Sequence, residues 1–324
     1  MYTMSLAICL AALLAVAGVA GVAYVRKGRP RRGQIPVSVN YHFTRECNYS
    51  CGFCFHTAKT SHLASVQDAR RGLRLLREAG MRKINFAGGE PFLKPKFLGE
   101  MIDYCKQSLR LESVSIVTNG SLVRREFLRR HGHHIDVLAV SCDSFIETTN
   151  KAIGRGTGGH VTKLTEIASW CREYNIKFKI NTVVNRLNYD EDMNHHIAAL
   201  QPFRWKCFQV LVVEGENDSG ETLRDARGFA ITDGEFEHFC QRHRDGPGFV
   251  AESNKVMAQS YLIVDEYLRF LDKSGRKKSR SILEVGVREA LESVFWDEEA
   301  FVARGGIYDW KKSPCSEMSK GLEW

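Results

Sequence analysis

The sequence has no regular pairs of cysteines, although it contains ten cysteines in 324 residues. Three lie close together, at positions 47, 51 and 54, and five lie singly in apolar or amphipathic segments: Cys105, Cys142, Cys171, Cys207 and Cys240. An isolated thiol in such a segment behaves as a small buried hydrophobic group. This pattern argues against a disulfide framework, and we expect the chain in a reducing compartment.

The sequence also lacks an identifiable nucleic-acid recognition module, although its formal net charge is +8. The positive charge is spread along the chain, with one cluster of basic residues at positions 26–32. A basic balance without such a module equally suits a phosphorylated small molecule or a membrane surface. We therefore expect no direct binding to nucleic acid.

A third absence concerns the N-terminus, where no basic residue precedes an uninterrupted apolar run over residues 6–25. The run has about the 20 residues that span the hydrocarbon part of a bilayer. A cleaved signal peptide has a basic start and a shorter apolar run, so a retained membrane anchor is favoured. The basic cluster that follows predicts that the rest of the chain faces the cytosol. Because the run is only moderately hydrophobic, a helix that lies in the membrane interface stays open.

Beyond Pro36 the sequence alternates between strand-like and helix-like patterns. The predicted strands are 35–43, 83–87, 113–118, 137–141, 178–184 and 205–213. The predicted helices between them are 62–79, 95–109, 122–131, 161–174 and 190–200. Six strands separated by helices predict an α/β fold with a parallel sheet covered by helices. In such folds the reacting groups lie in loops at the carboxyl ends of the strands.

Three cysteines with C-x3-C-x2-C spacing, Cys47, Cys51 and Cys54, follow the first predicted strand, with the aromatic Phe53 before the last. A four-iron cluster held by only three cysteines keeps one iron with an open position, which can bind and reduce a cofactor or substrate. Zinc is the alternative, because His56 could complete a Cys3His set and thiolates suit either metal. The number of cysteines favours iron.

Glycine-rich and polar segments follow the later strands. Gly88, Gly89 and Glu90 come directly after the second strand, where glycines let the backbone approach a ligand closely. A carboxylate beside exposed carbonyl groups could accept hydrogen bonds from an ammonium group. Three more polar residues lie at or after the ends of the third and fourth strands: Asn119, Ser141 and Arg155. Taken alone, each segment is equally well explained as a turn or a helix cap.

The cysteine spacing together with a Gly-Gly-Glu-Pro turn one β/α unit later resembles the radical S-adenosylmethionine (SAM) superfamily. The resemblance implies a partial (β/α)6 barrel with a [4Fe-4S] cluster on Cys47, Cys51 and Cys54. It implies that the cluster binds SAM and that reduction by an electron donor yields a 5′-deoxyadenosyl radical. It assigns SAM binding to a set of seven residues: Phe53, Gly88, Gly89, Glu90, Asn119, Ser141 and Arg155.

Longer segments resemble one family within this superfamily, the viperin-like enzymes. The matching segments include residues 40–44 and 54–61, and the likeness extends from about residue 36 to residue 324. It implies conversion of CTP to 3′-deoxy-3′,4′-didehydro-CTP (ddhCTP), in which the radical removes the C4′ hydrogen and the 3′ hydroxyl leaves as water. It also implies an antiviral role and attachment to the cytosolic face of the endoplasmic reticulum membrane.

A triphosphate substrate needs a cationic pocket, and several basic residues are candidates. Strand alternation places Lys177 and Lys179 on one face of the fifth predicted strand, and Arg204 and Lys206 on one face of the sixth. Taken alone, such residues are more often solvated on an edge strand. The resemblance assigns nine residues to the nucleotide site: Asn40, Lys83, Lys179, Asn181, Arg204, Lys206, Tyr261, Lys277 and Arg304.

Tyr261 and Lys179 are the predicted catalytic residues of this set. A phenol can donate a proton or a hydrogen atom, which suits a step in which a carbon radical is quenched. The alternative for Tyr261 is a half-buried helix aromatic whose hydroxyl group lies at the surface.

The likeness extends to the last residue, and it implies that Trp324 binds the cytosolic iron–sulfur assembly machinery. Three features depart from the family pattern. Ala87 stands where a small hydroxyl residue is common, residues 309–320 form a longer segment than usual, and the N-terminal run resembles a spanning helix more than an amphipathic one.

We therefore expect three parts in the chain. Residues 1–34 form a membrane anchor and basic linker, 35–215 form the radical SAM core, and 216–324 form an extension that closes the nucleotide site. A second cluster is not expected, because a single cysteine, Cys315, follows Cys240 in the sequence. Two alternatives stay open: a radical SAM enzyme for another nucleotide such as UTP, and a non-enzymatic, membrane-tethered metal-binding scaffold.

Overall fold

The computed structural model describes residues 34–272 and 278–312. The chain divides into two units, residues 1–34 and residues 35–324. The predicted membrane segment at 6–25, Lys277 and Trp324 lie outside the described residues. Within the described ranges, no helix combines the length and the apolar character that crossing a membrane requires.

The described residues of the larger unit contain a ten-stranded sheet, most of it parallel. Its strands are β1 (Ser38–Thr44), β2 (Lys83–Gly88), β3 (Ser113–Thr118), β4 (Val137–Ser141), β5 (Lys177–Val184), β6 (Arg204–Gln209), β7 (Phe249–Glu252), β8 (Ile263–Val264), β9 (Arg269–Leu271) and β10 (Lys278–Ser281). They are ordered β10-β9-β8-β1-β2-β3-β4-β5-β6-β7. Neighbouring strands from β8 through β1 to β7 are parallel, and β9 is antiparallel to both β8 and β10.

Helices connect the parallel strands, as the sequence predicts. They are α1 (Val66–Glu78), α2 (Pro95–Asp103), α3 (Arg125–His131), α4 (Glu147–Ile153), α5 (His160–Glu173), α6 (Asn194–Leu200), α7 (Asp233–His243), α8 (Asn254–Ser260), α9 (Ile282–Glu292) and α10 (Glu298–Ala303). The predicted α/β fold with a parallel sheet is confirmed. The strands β7 to β10 were not predicted, and they add the C-terminal residues to the same sheet.

Several predicted elements are shorter in the structure than expected, and two of them change character at the point where they end. The helix predicted at 95–109 ends at Asp103 and continues as a π-helical turn over Tyr104–Ser108. The strand predicted at 205–213 ends at Gln209 because the Asn217 side chain organises the chain beyond it. Its amide nitrogen donates to the Leu211 carbonyl over 3.1 Å and its oxygen accepts from the Val213 N–H over 2.7 Å.

β1 shows how side-chain alternation separates the core from the polar interior. Val39, Tyr41 and Phe43 are fully buried in the hydrophobic core. The alternate residues of the strand, which include Asn40 and His42, therefore point to the opposite face. The same alternation in another parallel strand divides its side chains between the two faces of the sheet in the same way.

The same alternation in β5 decides where its lysines lie. Phe178 and Ile180 are buried in the core, whereas Lys179 and Asn181 point to the other face. β5 pairs with β4 on one side and β6 on the other. The alternative in which these polar residues lie on an edge strand is therefore wrong.

Parallel pairing also brings the polar segments that follow the strands to one edge of the sheet. The cysteine loop follows β1, Gly89 and Glu90 follow β2, and Asn119 follows β3. Ser141 is the last residue of β4. The carboxyl ends of the strands therefore carry the segments in which the sequence predicts the cofactor site.

Candidate active site

The cysteine loop is held in place by the end of α4. The backbone N–H of Ser50 donates to the Gly154 carbonyl over 3.1 Å, and that of Gly52 donates to the Ile153 carbonyl over 2.9 Å. Gly154 has φ +88°, and a Cβ atom there would lie 2.5 Å from the Ser50 carbonyl oxygen. Glycine is therefore required for the helix end to approach the loop so closely.

The three thiols of the loop are free and half-buried or exposed. Burial raises the pKa of Cys51 to about 12 and also raises the pKa values of Cys47 and Cys54, while Arg155 acts in the opposite direction. Metal binding must therefore displace the thiol protons. Three thiolates from one loop fit a cluster that has three protein ligands.

The zinc alternative depends on His56 as the fourth ligand. The His56 imidazole packs edge-on against His42, with 4.4 Å between the ring centroids. Burial lowers the pKa of His56, and its Nε2 atom is buried without a hydrogen-bond partner.

Glu90 has a structural task that the sequence did not reveal. Its buried carboxylate accepts hydrogen bonds from the Phe92 N–H at 2.9 Å, and from Thr118 Oγ1 and the Asn119 N–H at 2.7 Å each. These bonds tie the end of β2 to the end of β3. Each carboxylate oxygen can accept two hydrogen bonds, so Oε2, which accepts one here, keeps a position for a bound ammonium group, and the predicted role of Glu90 stays a prediction.

The two glycines before Glu90 are required by a close approach of backbone. A Cβ atom on Gly89 would lie 2.0 Å from the Glu46 carbonyl oxygen. Gly88 has φ +128°, and its Cβ atom would lie 2.3 Å from the Thr44 carbonyl oxygen. The turn therefore packs directly against the segment that leads into the cysteines.

Asn119 connects the end of β3 to the cysteine loop. Its amide nitrogen donates to Asn48 Oδ1 over 2.9 Å and lies 3.9 Å from Cys47 Sγ. Phe53 anchors the other side of the loop, where its buried ring packs edge-on against Phe229 at a centroid distance of 5.7 Å.

Arg155 and Ser141 keep polar groups that no described residue engages. The buried Arg155 guanidinium forms an ion pair through Nε with Asp143, whose Oδ1 accepts from the Val183 N–H over 2.9 Å. Its two Nη nitrogens make no hydrogen bond within the described residues. The Ser141 carbonyl accepts from His160 Nε2 over 2.9 Å, while its hydroxyl group makes no hydrogen bond to a described residue. Such groups can bind the carboxylate and hydroxyl groups of a cofactor.

Register places the predicted cofactor and nucleotide residues side by side. Asn181 on β5 pairs with Ser141 on β4 and with Lys206 on β6. Neighbouring residues in register point to the same face of a sheet. The Asn181 side-chain oxygen is buried and lacks a hydrogen-bond partner in the described structure, as expected for a polar group that awaits a ligand.

Five basic side chains form the cationic pocket: Lys83, Lys179, Arg204, Lys206 and Arg304. Within the described residues, Glu252 is the carboxylate that pairs with members of this set. Its side chain is 1% exposed and contacts Lys206 through an ion pair, while Arg304 Nη1 lies 3.2 Å from Oε1. Tyr261 donates its hydroxyl proton to Glu252 Oε2 over 2.7 Å and accepts from Lys206 Nζ over 2.8 Å.

Tyr261 therefore has its hydroxyl group in the interior. It follows α8 with extended backbone, and the Arg304 guanidinium lies over its ring at 4.0 Å. Burial raises the pKa of Tyr261. The alternative of a helix aromatic with a surface hydroxyl group is wrong.

Tyr308 supports two further cations of the pocket. Its hydroxyl oxygen accepts from Lys83 Nζ over 3.0 Å, and its ring lies 4.1 Å from the Arg204 guanidinium carbon. Asn40 donates to the Leu262 carbonyl over 3.2 Å, which links β1 to the residue that precedes β8. Lys179 has neither an acceptor nor an aromatic partner within the described residues. Burial, followed by repulsion from Lys206 and Lys83, lowers the pKa of Lys179 well below its ordinary value.

Comparison with known proteins identifies the family. Residues 41–200 match the radical SAM superfamily. The chain is 55% identical to the S-adenosylmethionine-dependent nucleotide dehydratase RSAD2 of Danio rerio, over 89% of this chain and 81% of that protein. The chain belongs to the viperin-like family of radical SAM enzymes. A further relative, the S-adenosylmethionine-dependent nucleotide dehydratase of Flammeovirga pacifica, is 35% identical over 85% of this chain and 96% of its own length.

Solved structures agree with this family on the fold. Streptococcus suis SuiB bound to S-adenosylmethionine superimposes with a TM-score of 0.60 at 16% identity, over 89% of this chain and 71% of SuiB. The anSMEcpe enzyme with bound AdoMet gives a TM-score of 0.62 at 12% identity, over 79% of this chain and 80% of that one. These likenesses show the radical SAM fold of the α/β class.

The sequence did not predict two residues of the pocket, Glu252 and Tyr308. Neither side chain is basic, so neither is expected to bind phosphate. A carboxylate that ends a short apolar segment, residues 249–252, was a usable signal for Glu252. Tyr308 had no local signal, because its partners Lys83 and Arg204 lie more than a hundred residues away in the chain.

Proposed function

We propose that this chain is a SAM-dependent nucleotide dehydratase that converts CTP to ddhCTP. One electron from the donor cleaves SAM to methionine and the radical that becomes 5′-deoxyadenosine when it removes the C4′ hydrogen atom of the ribose. A proton and a second electron from the donor then let the 3′ hydroxyl leave as water and complete the product. The names of the relatives, which are called nucleotide dehydratases, support this reaction class. CTP is the preferred nucleotide in this proposal, and UTP is its competitor.

The observation that carries the proposal is the charge of the pocket. Five basic side chains face one carboxylate there, which gives an excess of up to four positive charges among partly or fully buried groups when every lysine is protonated. Buried charges without partners are unfavourable, so the pocket favours a ligand that carries several negative charges. A triphosphate has that charge, and charge-assisted hydrogen bonds to lysine and arginine suit its oxygens.

The cofactor side of the site fits a [4Fe-4S] cluster and SAM. Cys47, Cys51 and Cys54 would hold the cluster, and the unengaged polar groups of Ser141 and Arg155 would bind SAM together with the Gly88–Gly89 backbone. When bound, this pair supplies a 5′-deoxyadenosyl radical. Asn181 lies in register between Ser141 and Lys206, and this neighbourhood supports the proposal that the nucleotide would bind beside the cofactor.

In this proposal Lys179 donates a proton, and Tyr261 keeps a neighbouring lysine in position. Loss of the 3′ hydroxyl as water needs a proton donor, and an ammonium group with a lowered pKa is a stronger acid than an exposed lysine. Lys179 has such a lowered pKa and no competing acceptor. Tyr261, with a raised pKa, stays protonated and holds Lys206 beside Glu252.

Several finer parts belong to the same proposal. The parallel strands β1 to β6 would form a partial (β/α)6 barrel, and residues 6–25 would attach the enzyme to the cytosolic face of the endoplasmic reticulum. Trp324 would bind the cytosolic iron–sulfur assembly machinery, and a separate electron donor would reduce the cluster. The biological output would be antiviral. The apolar character of residues 6–25 and the family likeness support these assignments.

One experiment tests the substrate assignment. Reconstituted protein is incubated without oxygen with SAM, a reductant and each of the four ribonucleoside triphosphates in turn. We expect 5′-deoxyadenosine to accumulate fastest with CTP, together with a product that has lost one water from the nucleotide mass. Equal SAM cleavage with all four nucleotides would defeat the assignment, and a product from UTP alone would replace CTP by UTP.

A further inference from the structure

Glu252 is a buried carboxylate in a pocket that is otherwise built for a polyanion. It ends β7, its side chain is 1% exposed, and it contacts Lys206, Arg304 and Tyr261 together. A negative charge at this place repels phosphate, so its presence needs a physical reason. The reason is the effect of Glu252 on the charge of the neighbouring cations.

Burial favours the uncharged form of a lysine, and Lys206 in this pocket has a pKa near neutral pH. Burial, together with the nearby Arg304 and Arg204, lowers the pKa of Lys206 to about 7, although Glu252 acts in the opposite direction. An uncharged Lys206 would no longer attract a phosphate group, whereas an arginine stays charged at any pH in question. The carboxylate thus protects the charge of the lysine beside it.

Geometry assigns Glu252 a second task. Oε1 contacts both Lys206 Nζ and Arg304 Nη1, and Oε2 accepts a hydrogen bond from the Tyr261 hydroxyl group. Tyr261 in turn accepts from Lys206 Nζ at 2.8 Å. Lys206 and Arg304 come from β6 and from the residue after α10, so the carboxylate joins two distant parts of the chain at one point.

We propose that Glu252 is a positioning residue of the nucleotide site, whose carboxylate gathers Lys206 and Arg304 into one charged clamp for the phosphate groups of the substrate. The proposal rests on the nucleotide substrate of the proposed function and adds a residue to it. Glu252 does not touch the reacting carbon atoms. It acts through the two cations.

The charged and titratable groups around Lys206 set the expected pH dependence. They are Lys179 on β5, Arg204 on β6, Lys83 on β2, Glu252 on β7, Tyr261 after α8, Arg304 after α10 and Tyr308. Lys206 is charged below its pKa and loses its charge as the pH rises through that value. Replacing Glu252 by a neutral residue lowers the pKa further, so the charge is lost at a lower pH.

The test is CTP binding to the reconstituted full-length protein, measured by isothermal titration calorimetry between pH 6 and pH 8.5. For a fall of one unit in the Lys206 pKa, Glu252→Gln should bind CTP within about threefold of the wild type at pH 6 and about tenfold more weakly than the wild type at pH 8. Cytidine, which has no phosphate, should bind both proteins alike.

Two additional variants separate the charge effect from a loss of structure. In Glu252→Gln combined with Lys206→Arg, the permanent charge of arginine should abolish the added pH dependence. Glu252→Asp keeps the charge with a shorter reach, and its pH midpoint should lie below that of the wild type even if the glutamine variant does not fold. Glu216→Gln is the matched control, because Glu216 also joins an arginine and a lysine, Arg45 and Lys59, outside the cationic pocket.

Each result decides the proposal. Weaker binding of Glu252→Gln by the same factor at every pH, or weaker binding of cytidine as well, would mean that Glu252 only supports the fold, and the inference would be overturned. Equal loss in Glu216→Gln would do the same. If the wild type itself binds no CTP at any pH, the proposed function fails first, and this outcome is distinct from the others.

Discussion

At the scale of single residues, some basic side chains of the pocket have a hydrogen-bond or ion-pair partner in the described protein, whereas one of them has none. Lys206 and Arg304 pair with Glu252, and Lys83 donates to Tyr308. Lys179 has no such partner in the described part of the chain. This difference predicts that loss of a held cation weakens nucleotide binding, whereas loss of Lys179 impairs a chemical step.

The first prediction concerns Arg304. Arg304→Ala should raise KM for CTP by about 10- to 100-fold, because hydrogen bonds to charged groups contribute about 1.5–3 kcal/mol. SAM affinity should not change. Arg280→Ala is the control, since Arg280 is an exposed arginine that pairs with Glu284 at 3.4 Å. An unchanged KM in Arg304→Ala would remove Arg304 from the phosphate site, whereas a wild type without any nucleotide turnover would favour the non-enzymatic scaffold.

The second prediction concerns the pH dependence of Lys179. Its pKa is lowered, first by burial and then by Lys206 and Lys83, so its ammonium form disappears at a lower pH than that of an exposed lysine. If the ammonium group protonates the leaving hydroxyl, kcat should be full at low pH and should fall as the pH rises through the lowered pKa. Steady-state kcat from pH 6 to pH 9 measures this.

Lys179→Gln is the comparison for that profile. Loss of a general acid lowers the rate by about 10²–10⁴-fold, and the residual activity of this variant should lose the fall at high pH. A wild-type profile that stays flat to pH 9, or a variant that keeps the same fall, would remove Lys179 from the proton step.

At the scale of elements, the sequence was most informative where a structural cause is local. Residues 113–118 and 137–141 were predicted to the residue, because buried apolar runs end at polar turns there. Ile263–Val264 could not be found in this way, since a two-residue strand exists only through its pairing with other strands, and one of these, β1, lies more than 200 residues earlier. The site divides likewise: contiguous motifs marked the cysteine loop and the Gly-Gly-Glu turn, whereas Glu252 and Tyr308 act through distant contacts.

The third prediction tests the packing of two elements at the cofactor side. Gly89→Ala would place a Cβ atom 2.0 Å from the Glu46 carbonyl oxygen, and backbone there cannot move aside without shifting the cysteine loop. We expect a loss of about 1–3 kcal/mol in the free energy of unfolding, as for other overpacked sites. Iron content after reconstitution should also fall.

Gly234→Ala provides the matched control. Gly234 lies in the first turn of α7, and its Cβ atom would have a nearest neighbour at 3.9 Å, Thr232 Oγ1. Alanine favours helix over glycine, so stability should be equal or higher. Chemical denaturation measures the free energy of unfolding of both variants, and iron analysis measures their iron content after reconstitution. Normal iron loading of Gly89→Ala would contradict the proposed contact.

At the scale of the whole molecule, the nucleotide pocket joins parts of the chain that are far apart in sequence. Lys83 comes from β2, Lys179 from β5, Lys206 from β6 and Arg304 from the end of α10. A triphosphate that binds all of them would hold the two ends of the larger unit together. Because the cations repel one another when the pocket lacks a polyanion, binding should stabilise the whole fold.

The fourth prediction is that CTP raises the thermal stability of the protein before SAM is added. A ligand that binds only the folded state at one hundred times its Kd adds about 2.7 kcal/mol to the free energy of unfolding. The rise in Tm should decrease from CTP to CDP to cytidine as phosphate charges are removed. It should decrease less with added salt than surface ion pairing would, because buried charges are screened weakly. Differential scanning calorimetry across this series measures the effect, and equal stabilisation by cytidine and CTP would show that the cations do not hold the phosphates.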